Sequence, residues 1–187
     1  MASSFIGKVI YLFFISVILQ VIQFLISIIM LIPYISFSDN WGYILTKVVS
    51  EGFSEPVIYS GFAARISVME EYMGLEALTG QVLLNISFTF LMGMAAFFLN
   101  GIIKKYLGPI VLIFIAIFDS IINAAGFWVG DIYKLYDYSL IRSIKLSAVN
   151  ESNRTIMQNV IIMWVISAVL IIITYISFKI RFKEREV

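Results

Sequence analysis

Cysteine and histidine are both absent from the 187 residues. Without cysteine no disulfide framework can form, so the redox state of the surroundings leaves no trace in the chain. No Cys or His site for zinc, haem or an iron–sulfur cluster can be built. Histidine general-base catalysis and a cysteine nucleophile are excluded with them. There is no G-x-S-x-G turn for serine hydrolysis and no glycine loop of the kind that cradles phosphates. Basic residues do not gather into a patch for nucleic acid beyond a short C-terminal tail. Gly130-Asp131 and Tyr136-Asp137 have the elements of intramembrane aspartyl proteases. Those enzymes set two aspartates on adjacent spans at membrane depth, whereas both pairs here fall in one outer segment. The reading is therefore of a chain that is no enzyme, has no cofactor or metal, and binds no nucleic acid.

What the chain has in excess is apolar residues: 61% of the total, with a mean hydropathy of +0.98. Soluble domains sit near 45–50%. A chain of this size buries only about 70% of its surface on folding, so much of its solvent has to be lipid. Four long apolar stretches occur, at roughly 5–34, 82–103, 107–129 and 156–180. A spanning helix needs about 20 residues to cross about 30 Å of hydrocarbon. The first stretch is interrupted only by Lys8, serines and two glutamines. It is too long for the core of a signal peptide, and no A-x-A-like site follows it. The expected fold is an all-α integral membrane protein of about four transmembrane helices. It forms one transmembrane domain over 1–187, with outer segments at 35–81 and 130–155.

Basic residues orient these spans. Lys8, Lys104, Lys105, Lys179, Arg181, Lys183 and Arg185 fall on one side, offset by Glu184 and Glu186. The other side receives Asp39, Glu51, Glu55, Glu70, Glu71 and Glu76 against Lys47 and Arg65. The basic side is expected to be cytoplasmic, which puts both termini inside. Lys104 to Pro109 then turns a tight hairpin between the second and third spans, with Pro109 tolerated in a first helical turn. The outer segments carry helical stripes: Trp41, Ile44, Leu45, Val48 and Val49; Ile58, Phe62, Ile66 and Met69; and Leu140, Ile141, Ile144 and Ala148, with Arg142, Lys145 and Asn150 off the last. They suit short amphipathic helices on the outer leaflet or capping the bundle, or ordinary loop helices packed on the spans. Asn150 and Asn153 begin glycosylation acceptor patterns, which chance also produces.

Polar residues are costly in lipid, so their positions carry information. Ser16, Gln20, Gln23 and Ser27 share a face of the first stretch. Asn85, Thr89, Gly93, Ala96 and Asn100 line the second, Asp119, Asn123 and Gly126 the third, and Ser167, Thr174 and Ser177 the fourth. Such faces belong against other helices or around a wet pathway. Gly126 and Gly130 have small-xxx-small spacing. Asp119 stands apart as the one formally charged residue near the middle of a span, with no Lys or Arg expected at its depth. An ionised carboxylate there costs several kcal/mol unless it is protonated, paired or wet. Its expected partner is an amide such as Asn123 or Asn85, a water, or another subunit. Candidate pathway or subunit-interface residues are thus Asp119, Asn123, Asn85, Gln20, Gln23 and Asn100; plain helix–helix adhesion is the competing role for the amide and hydroxyl set.

From about Ser54 onward the chain resembles the later part of bacterial ABC exporter permeases of the type-2 class. The likeness lies in the order of its parts. Glu55-Pro56-Val57-Ile58-Tyr59 leads to Arg65 and a span with Asn85 and Gly93. Lys104-Lys105-Tyr106-Leu107-Gly108 turns into a span with central Asp119. The outer segment from Tyr138 to Leu146 then precedes the last span and a charged tail from Phe178 to Glu186. Such permeases usually have about six spans and an N-terminal amphipathic helix, so this chain is similar to a shortened one. The resemblance implies export of peptides or other amphipathic substrates, a separate ATPase subunit, and a second membrane subunit or self-association in the bacterial cell membrane. The alternative is a non-transport membrane module (immunity, sensory or accessory) that binds a partner in the bilayer.

Overall fold

The computed structural model describes residues 2–31, 74–102, 107–125, 139–145 and 154–183. The stripes at 41–49 and 58–69, the acceptor patterns at Asn150 and Asn153, and Gly126 to Gly130 lie outside them. Five helices make up nearly all of what is described: α1 (Ala2–Leu31), α2 (Gly74–Ile102), α3 (Leu107–Ala125), the short α4 (Leu140–Ser143) and α5 (Ile156–Lys183). No strand occurs among the described residues. α1, α2 and α5 are each long and apolar enough to cross a membrane. α3 is apolar from Gly108 to Ile122 and shorter; its 19 residues reach about 28 Å at ~1.5 Å each. The chain is an all-α membrane protein.

The boundaries differ most at α2. Its apolar run starts at Val82, but the helix starts at Gly74, inside what reads as an outer segment. Hydropathy marks lipid contact, not helix limits. Residues 74–81 contain no proline and place Glu76 in the first turn, where the helix dipole favours an anion. Ala77 and Gly80 are buried there, so this stretch is held by packing. α5 starts on a reciprocal cap. Thr155 Oγ1 accepts from the Gln158 N–H at 3.2 Å, and Gln158 Oε1 accepts from the Thr155 N–H at 3.0 Å.

α2 is the centre of the bundle. Of the most apolar window of each helix, 28% is shielded in α2 against 6% in α1 and 17% in α5. α2 and α5 make the most extensive contact and run parallel. Gly80 meets Ile156 at one end, Trp164 Nε1 donates to Ser87 Oγ at 3.1 Å midway, and Gly101 meets Phe178 at the other end. Leu84 and Met94 are fully buried, and Leu84 packs in one core with Ala77, Leu91 and Met163. Lipid tails are as apolar as these side chains, so close fit and hydrogen bonds hold the pair together more than burial does. α1 runs antiparallel to α2. Phe5 lies beside Phe97 at a ring distance of 5.8 Å, and Gln20 lies beside Thr89.

These directions bring the start of α1 and the ends of α2 and α5 together. Phe5, Phe97, Tyr175 and Phe178 form one aromatic cluster there, with ring centroids 5.4–6.1 Å apart. Lys8 and Lys179 belong to this end. Because α2 and α5 are parallel, the chain has to return between them, and α3 makes that return from a hairpin at the same end. Asn100 Oδ1 accepts the Gly108 N–H at 2.9 Å and closes the hairpin. A Cβ on Gly108 would stand 2.6 Å from the Ala96 carbonyl oxygen, so the two helices approach backbone to backbone.

Candidate functional site

The far end of the bundle, opposite the aromatic cluster, gathers polar side chains from four elements around α4. Ser139 is the N-cap of α4, and its Oγ accepts the Arg142 N–H at 3.2 Å. Asp119 reaches across from α3 and completes the cap. Oδ1 accepts the Leu140 N–H at 3.1 Å; Oδ2 accepts the Ile141 N–H at 2.7 Å and the Ser139 hydroxyl at 3.1 Å. The first three N–H groups of a helix have no intrahelical acceptor, and here one carboxylate and one hydroxyl satisfy all three.

Among the described residues, the donors that reach Asp119 are thus two backbone N–H groups and a hydroxyl, where an amide, a water or another subunit is expected. Its partners come from its own chain, twenty to twenty-two residues on. A basic residue is also close in the fold: Arg142, the last-turn residue of the helix that Asp119 caps, is 7% exposed. The stripe reading set Arg142 off the apolar face. Arg142 is nonetheless buried, because the short helix Leu140–Ser143 packs on the spans, as a loop helix does, and does not lie on the leaflet. Asp119 itself is 8% exposed, about 18 Å along α3 from its start. Backbone that is not in a long helix is tolerated at membrane depth only when protein satisfies it, and Asp119 does so.

The other end of this segment is held by α2 and α5. Gln81 Nε2 donates to the Ile144 carbonyl at 2.8 Å and to Asn85 Oδ1 at 3.0 Å. Asn159 Nδ2 donates to the Ser143 carbonyl at 3.3 Å. Both carbonyls lie at the C-terminal end of α4, where the helix itself supplies no donors. Three helices thus each contribute a side chain to one seven-residue segment.

The remaining candidates are dispersed. Gln20 Nε2 donates to Thr89 Oγ1 at 3.1 Å and joins α1 to α2. Asn85 belongs to the belt through Gln81. Asn100 serves the hairpin at the opposite end. Gln23 and Ser27 are exposed, so the polar face of α1 meets α2 only over its first part, where Ser16 is buried. Asn123 lies in α3, and its side chain is outside the described residues. Ser167 and Thr174 are fully buried and bond back to carbonyls one turn earlier in α5.

Gln81, Ser139 and Arg142 escape a search for polar residues inside apolar runs because they lie outside those runs; Asn159 lies inside the fourth run, off the polar face singled out there. Signals for them do exist. Gln81 and Asn85 have the i, i+4 spacing that lets amides bond along a helix. Ser139 before Leu140-Ile141 is an N-cap pattern, and Thr155-x-x-Gln158 is a capping box. The chain matches no protein-family model, no curated protein and no solved structure.

Proposed function

We propose that this chain is a permease-like, multi-pass subunit of a multi-component ABC exporter in a bacterial cell membrane, for peptides or other amphipathic substrates. The observation that carries the reading is the gathering of the start of α1, the α2–α3 hairpin and the end of α5 at one end of the bundle. That end holds Lys8 and Lys179, and Lys104 and Lys105 lie in sequence between α2 and α3. A basic end marks the cytoplasmic side. An ATPase that drives export has to act from there, and this end offers it three segments of the chain at once. The chain has no catalytic role of its own in this reading; the ATPase supplies the chemistry. The order of parts from Ser54 onward resembles such permeases and supports the same conclusion. A second membrane chain, or a second copy, completes the pathway, since four helices with one central member enclose little.

A non-transport module that binds a partner in the bilayer is the second reading. What favours it is that Gln20, Asn85, Asn100 and Asp119 bond within the chain, as helix-joining residues do. Affinity purification from native membranes in mild detergent, with identification of the co-purifying chains, separates the two. An ATPase and a second membrane chain are expected. Recovery of an active, lone monomer would refute the exporter reading.

A further inference from the structure

Among the described residues, α3 meets the bundle along a half-buried stripe at Val111, Leu112, Ala116 and Ile122, with buried Gly108 and Asp119 on the same stripe. At its start Gly108 sits against Ala96 and Asn100 of α2. Beyond Ala116 its side chains are exposed at Ile117, Phe118, Ser120 and Ile121, Ile122 is half-buried and Asp119 is buried. Among the described residues its most extensive contacts are with α2 and α4. Asp119 grips the 139–145 segment, and that segment is in turn tied to Gln81 on α2 and Asn159 on α5. Ile144 packs on the Ala77, Leu84 and Met163 core of the α2–α5 pair.

We infer that residues 139–145 form a strap that holds the far half of α3 to the α2–α5 pair, and that the bundle opens between α3 and α5 when the Asp119 fastening is lost. The hairpin at Asn100 and Gly108 is the hinge of that movement. α2 and α5 do not take part, because their contact runs the full length from Gly80 to Gly101 without using Asp119. The inference concerns the bundle alone and holds whether or not an ATPase is its partner.

The absence of cysteine makes the full chain ready for paired spin labels without a background substitution. Ile121→Cys on α3 with Ile161→Cys on α5 reports the opening, since both positions are exposed. Leu83→Cys on α2 with Ile161→Cys reports the α2–α5 pair. In nanodiscs the parent should give one narrow distance for each pair. Asp119→Leu should lengthen the α3–α5 distance by about 5 Å, one helical turn, or more, and leave the α2–α5 distance as it was. Asn159→Leu unties the strap from α5 with the Asp119 cap intact, and should widen the same distance. An unchanged α3–α5 distance in Asp119→Leu overturns the strap. So does loss of both distances, or failure to recover either variant from membranes, because the residues would then support the whole bundle.

Discussion

Two glycines differ in what a methyl group would meet. Gly7 on α1 has nothing within 4 Å of an added Cβ. Gly108 would place that atom 2.6 Å from the Ala96 carbonyl oxygen and 2.7 Å from Asn100 Oδ1. Contacts of this kind need about 3.3 Å or more, so Gly108→Ala has to separate the α2 and α3 backbones by about 0.7 Å. Overpacking of this size costs about 1–3 kcal/mol. The Asn100–Gly108 hydrogen bond is stretched at the same time, at a cost of about 1 kcal/mol. Gly7→Ala is instead expected to stabilise by up to about 1 kcal/mol through helix propensity. Unfolding of the two variants and the parent in mild detergent micelles, titrated with SDS and followed by circular dichroism, reads the difference. Opposite signs, separated by about 2–5 kcal/mol on these figures, are expected. Asn100→Ala removes two of the three nearest clashing atoms, Oδ1 and Cγ, so the double variant should be less damaged than the sum of the singles. Equal effects of Gly7→Ala and Gly108→Ala would refute the close backbone approach.

Three further outcomes are expected. Cysteines introduced singly at Asn40, Asn150 and Glu186 should separate in intact cells: an impermeant thiol reagent labels the first two and not the third, and labelling at 186 would overturn the inside placement of the C-terminus. A double-mutant cycle of Gln20→Leu and Thr89→Val should give a coupling of about 0.6 kcal/mol in unfolding experiments, and none would mean that the α1–α2 hydrogen bond contributes nothing. Thr155→Ala should cost about 1 kcal/mol through loss of the α5 cap, with Gln158→Ala costing less. A smaller loss for Thr155→Ala than for Gln158→Ala would show that the reciprocal cap does not hold.

Much of the fold is legible in composition, and the polar site is legible only in part. Apolar runs locate α1, α3 and α5 to within a few residues, because lipid contact demands them. They miss the start of α2, since Gly74 to Gln81 is held by packing and polar bonds that hydropathy does not register. Asp119 announces itself as a charge among Ile113 to Phe118, and its need for compensation follows from that alone. The compensating groups are backbone N–H donors, which every residue except proline carries, so nothing in the sequence marks Leu140 and Ile141 as its partners.

The sequence by itself determined that this chain is helical and lies in a membrane. It also determined that the chain has no thiol or imidazole chemistry, and that one buried carboxylate needs donors. Those conclusions rest on side-chain solvation and residue inventory, which are local properties. Tertiary structure decided that α2 is the central helix, that α5 runs parallel to it, and that Asn100 closes a hairpin while Asp119 caps α4. These are relations between residues 8 to 77 positions apart, set by which helices meet and at what height.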